Sequence, residues 1–97
     1  MSVTLWIDTE REETIELGGT LVVYKAFADM ARAAGKRWKT DFADLSGVLS
    51  QCEDQTDADP EWLADVRRQA KLLLGHYEHH LSADAQGILQ QLAGEDA

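Results

Sequence analysis

One cysteine, one proline and very few bases mark this chain of 97 residues. A lone Cys52 cannot close an internal disulfide, so the fold does not rely on one, which fits a reducing compartment. One proline and seven glycines argue against a fibrous or disordered chain. No apolar run approaches the roughly 20 residues that span a membrane. The opening stretch, MSVTLWIDTER, lacks the basic-then-apolar order of a secretion signal. A cytoplasmic protein with no membrane contact is the expectation. Nine bases stand against eighteen acids, a formal charge of −9. That excess disfavours nucleic acid and anionic lipid as partners and suits a protein with a basic surface.

The apolar fraction of 44% is ordinary for a globular domain. A chain of this size buries roughly two-thirds of the surface its unfolded form exposes, enough for one modest core. Residues 1–97 are read as one small domain with no internal repeat and no linker. The start alternates, with Val3, Leu5 and Ile7 on one side and Thr4, Trp6 and Asp8 on the other. A charged turn, TEREE, leads to a second alternating stretch with Ile15 and Leu17 on one face. The two form a predicted β-hairpin over about 2–17. A lone hairpin is marginal in water, so its apolar side must lie against helices.

Four helices are expected. The first covers about 20–34, with Thr20 as N-cap, an apolar stripe of Val23, Phe27, Met30 and Ala34, and Gly35 past its end. The second covers about 41–52, capped by Thr40 or Asp41, with Phe42, Leu45, Leu49 and Cys52 on one face and Gly47 as a weak point. The third covers about 60–81 and has the clearest start: Asp59 caps, Pro60 takes the first position and Glu61 favours the positive dipole end. Its stripe is Leu63, Val66, Ala70, Leu73, Leu74, Tyr77 and Leu81. The fourth covers about 83–93, capped by Ser82 and ended by Gly94. The fold class is α+β, a two-stranded hairpin packed on about four helices.

Chemistry is sparse. All three histidines fall in HYEHH, residues 76–80. On a helix His80 lies about 60° from the core stripe and His76 about 100°, while His79 is nearly opposite. His76 and His80 alone share a side, and two ligands fall short of a zinc site. Cys52, Glu53 and Asp54 are poor third ligands, because antiparallel packing carries them toward the other end of the third helix. A half-buried His80 beside two exposed histidines is the plainer expectation. The two glycines of ELGGTL offer amides to an anion, but no P-loop lysine follows. The serines lack a nucleophile-elbow setting, and Cys52 has apolar and acidic surroundings that make a thiol inert. No catalytic set and no cofactor are expected.

The charges are distributed unevenly. Residues 53–61 carry five acids and no base; residues 8–16 carry five acids and one base; residues 25–39 carry five bases and one acid. KRWK, around Trp38, has the composition of a nucleic-acid contact, but three cations are few and a connector with Trp38 tucked inward is the simpler reading. Alternation turns Trp6 away from the core, where it either marks an association surface or is covered by another segment. The leading expectation is therefore a small acidic, non-catalytic protein-binding module. Its sharper form is an inhibitor or immunity-type protein that masks a basic site on an enzyme. The expected contact residues are Trp6, Glu10, Glu12, Glu13, Glu53, Asp54, Asp57 and Asp59. Two alternatives stand beside it: a homodimeric accessory subunit joined through the hairpin edge or an apolar helix face, and a metal-binding regulator using His76 and His80.

Overall fold

The computed structural model describes residues 2–94. Strands β1 (Ser2–Asp8) and β2 (Glu13–Gly19) form an antiparallel hairpin. Its turn is held by Asp8, whose Oδ1 accepts from the backbone N–H groups of Glu10 at 3.0 Å and Arg11 at 3.3 Å. Such side-chain-to-backbone bonds are why aspartate favours turns. The register pairs Leu5 with Ile15, Trp6 with Thr14 and Thr4 with Glu16. Irregularities between Val3 and Thr4 and between Trp6 and Asp8 leave Leu17 and Ile7 without opposite numbers. A bulge resets which face a residue takes. Leu5 and Leu17 are both buried, while Ile15 is half-buried.

Helix α1 (Thr20–Ala34) follows at once. Thr20 is its first residue, not its cap: Gly19 takes the N-cap position without a side-chain bond. Its buried residues are Val23, Ala26, Phe27, Met30 and Ala34, the expected stripe. Gly35 stops it at φ +59°, a conformation that costs a side-chain-bearing residue.

The expected second helix is broken. A 3-10 turn at 35–37 leads into three short pieces, α2 (Trp38–Asp41), α3 (Ala43–Ser46) and α4 (Val48–Asp54). Phe42 leaves helical geometry at φ −125° and ψ 38°, and its buried ring packs 6.3 Å from Trp38 and 6.2 Å from Tyr77. Gly47 separates the second piece from the third. Neither Thr40 nor Asp41 caps anything; none of the three pieces has a side-chain cap at its own N-cap residue.

Helix α5 (Pro60–Tyr77) begins as its sequence requires. Asp59 caps it, with Oδ1 accepting from Glu61 N at 2.8 Å and Trp62 N at 3.4 Å. It ends at Tyr77, four residues earlier than its stripe suggests, and a 3-10 turn over 78–80 follows. The break falls at Tyr77, whose φ of −126° and ψ of 14° leave helical geometry, and Gln86 supports the turn that follows. The Gln86 Nε2 donates to the carbonyls of Glu78 at 3.1 Å and Leu81 at 3.0 Å, which lie beyond the helix end. Helix α6 (Ala83–Ala93) is capped by Ser82, whose hydroxyl accepts from Ala85 N at 3.2 Å. The fold is thus α+β, a hairpin on helices, with α6 packed against α5, α1 and β2, α3 against α5, and α4 against β1.

One polar side chain sits within this core. Gln69, 7% exposed on α5, accepts from Leu45 N at 3.0 Å and donates to Asp44 Oδ2 at 2.9 Å. It supplies the acceptor that the uncapped start of α3 lacks. Replacing it with leucine strands a buried N–H, which costs about 1–3 kcal/mol. Gln69→Leu is therefore expected to lower the unfolding free energy by that amount, read as a fall in the urea midpoint at unchanged slope. An unchanged midpoint would show that α3 finds another acceptor.

Candidate functional site

One cleft lies where β1 meets the first turn of α1 and the end of α4. It encloses about 360 Å³ and is lined by Thr4, Trp6, Tyr24, Leu49, Cys52 and Glu53, among others. Helix α1 presents Tyr24 here because Val23, Ala26 and Phe27 face the core, which turns residue 24 outward. Helix α4 presents Glu53 because its neighbour Cys52 points inward. The two walls are tied together: the Tyr24 hydroxyl donates to Glu53 Oε1 at 2.6 Å. That bond and the adjacent carboxylate charge hold the Tyr24 phenol above its usual pKa. Glu53 is the one charged residue in the lining among the described residues.

Trp6 is half-buried here, not pointing freely into solvent. Two contacts bring the loop before α5 against β1 and the hairpin turn: Ala58 N donates to the Trp6 carbonyl at 2.9 Å, and Thr9 N donates to Asp57 Oδ1 at 2.9 Å. The outer side of β1 is therefore bonded near its C-terminal end to the loop that precedes α5.

The expected contact acids fall into two groups. Asp57 and Asp59 hold the fold, one by gripping the hairpin turn and the other by capping α5. Glu53 is engaged by Tyr24. Glu10, Glu12, Glu13 and Asp54 are exposed, and among the described residues their side chains make no hydrogen bond or ion pair. The residues thus do not converge on one spot. Glu10 and Glu12 lie in the hairpin turn and Glu13 opens β2, while Glu53 and Asp54 close α4.

The histidines do not form a centre. His80 is exposed, like His76 and His79, because α5 ends at Tyr77 and the 3-10 turn swings it outward. His76 and His80 do line one shallow cleft with Asp29, Arg32 and Tyr77, but Asp29 is ion-paired with Arg32. Among the described residues no group of three or more His, Cys, Asp and Glu side chains is placed to hold a metal ion. No helix among them is long and apolar enough to cross a membrane.

Cys52 is 8% exposed, and burial, reinforced by Glu53, pushes its thiol up to about 11. A thiol in that state is a poor nucleophile at neutral pH. Tyr24, Leu49 and Gln55 are cleft residues that no sequence motif marks; Leu49 is legible only as one position of an apolar helix face.

The thiol gives a testable pH dependence. The fold favours the protonated form, so its contribution is complete below 9.0, the ordinary value, and is lost as pH rises toward about 11. Wild-type protein should lose stability across that window more steeply than Cys52→Ala, which keeps Tyr24 and every other titrating group. Parallel stability curves for the two proteins would show that the thiol is not held protonated.

Comparison with protein-family models, with curated proteins and with solved structures finds no match to this chain.

Proposed function

We propose that this chain is a small acidic, non-catalytic module that binds another protein through the face around the Trp6 cleft. One observation carries the reading. The first turn of α1 leaves Leu21 78% exposed, and Tyr24, which lines that cleft, is exposed as well. Leu21 and Tyr24 are three residues apart, so they share one side of the helix. Single exposed apolar residues are ordinary, but an exposed leucine on the same side of a helix as a tyrosine that lines a cleft with Trp6 has the composition of an interface centre. Surrounding acids suit a partner with a basic surface, since complementary charge speeds encounter and rejects wrong partners. Masking a basic site on an enzyme is the specific form this takes.

The same Leu21 surface favours a second reading, a homodimer through this helix face. The hairpin edge is a poorer route to a dimer. Strand β2 is paired on one side among the described residues, and its Glu13 and Glu16 are exposed. Two copies of that edge in antiparallel pairing bring acids near acids, which is unfavourable.

The test avoids Asp57 and Asp59, because reversing either charge damages the fold as well as the surface. Wild-type protein, Leu21→Asp and a Glu10→Lys, Glu13→Lys, Asp54→Lys triple variant are compared in affinity capture from the cells that make them. A partner held by the wild type should be lost with Leu21→Asp. The triple variant should slow its association by on the order of tenfold at low salt. A partner retained equally by all three proteins would sink the proposal. A concentration-dependent doubling of mass in sedimentation, abolished by Leu21→Asp, would establish the dimer instead.

A further inference from the structure

We infer that the Trp6 cleft receives one arginine side chain from the bound protein. This rests on the protein-binding reading above and names the chemistry at its centre. Three features converge. Trp6 and Tyr24 line the same cleft, and aromatic faces attract a cation through their quadrupole. Glu53 lies in the lining as its one charged residue among those described, so the field there has one sign. Its Oε1 is held by the Tyr24 hydroxyl at 2.6 Å, which fixes the carboxylate in place and leaves Oε2 unbonded among the described residues.

Size and shape select the occupant. A cleft of about 360 Å³ sits at the low end of the roughly 300–1,000 Å³ of small-molecule sites, suited to one side chain. Arginine fits better than lysine. Its guanidinium is planar, stacks on aromatic rings, is more weakly hydrated than an ammonium and matches a carboxylate edge. Leu49 and Cys52 supply an apolar floor for the methylene stem. The uncovered Leu21, three residues before Tyr24 on the same side of α1, offers an apolar contact to the residues flanking the arginine. An acidic protein whose bases cluster elsewhere, at residues 25–39, leaves this cleft without a cation of that cluster in its lining.

The experiment uses the whole protein and two near-isosteric probes. N-acetyl-arginine methylamide and its neutral counterpart N-acetyl-citrulline methylamide are titrated into labelled protein. The Trp6 indole N–H resonance, assigned by its loss in Trp6→Phe, is followed. Arginine should move that resonance saturably, and citrulline should bind about tenfold more weakly, as expected when a cation–π contact and a charge-assisted hydrogen bond are lost together. Glu53→Gln keeps an acceptor for Tyr24 but removes the charge, and it should abolish the preference for arginine. Equal binding of both probes, or no movement at Trp6, overturns the arginine site. That failure is separable from failure of the protein-binding reading, which is decided by capture with Leu21→Asp. A partner captured through Leu21 by a protein whose cleft ignores arginine refutes the arginine site alone.

Discussion

The two hydrogen bonds of Gln69 fix how the middle of the chain meets the long helix. The segment from Trp38 to Asp54 is broken twice, at Phe42 and Gly47, and its pieces are too short to satisfy their own backbone. A buried amide that gives one bond and takes one is well suited to such a junction, because it leaves neither of its groups unpaired. With α3 anchored on α5, α4 is carried to β1, and Leu49, Cys52 and Glu53 become one wall of the cleft. The surface feature is thus positioned from within the core.

Much of this architecture is legible in the residues. Alternation marks both strands, the Asp59–Pro60 pair marks the start of α5, and Ser82 and Gly94 bracket α6. The unreadable parts have specific causes. Gln69 lies among apolar neighbours on α5, and nothing local reveals that its partners are 24 and 25 residues earlier. Phe42 continues a helical stripe on paper, yet its ring finds a better place between Trp38 and Tyr77 by leaving helical geometry. Two irregularities in a hairpin of seven-residue strands interrupt strict alternation, so that Ile7 and Ile15, placed on the apolar face by the pattern, are only half-buried while Leu5 and Leu17 are fully buried. Trp6 looks free on a pattern and is half-buried because α4, a distant element, packs against β1.

The acids show a related limit of counting. A formal charge of −9 describes the chain as a whole, but the carboxylates have different duties. Asp8 shapes a turn, Asp44 meets Gln69, Asp57 grips the hairpin and Asp59 starts a helix. Others, such as Glu10 and Asp54, stand in solvent. Long-range steering draws on all of them, since fields sum over every charge. Local loss of structure on neutralisation is confined to the first group. Charge composition therefore argues for a class of partner, whereas bonding decides which acids a partner can use without loosening the fold.

The loop that bonds Ala58 to the Trp6 carbonyl and Asp57 to Thr9 ties the hairpin to residues about half the chain away. In entropic terms the hairpin carries two separate costs. Its strands are close in sequence and pair over a short loop, a small closure. Docking it closes 48 residues between Thr9 and Asp57, a larger cost that the contacts of the helical layer must offset. A hairpin that is marginal alone thus depends on residues half the chain away, and the cleft beside it shares that dependence.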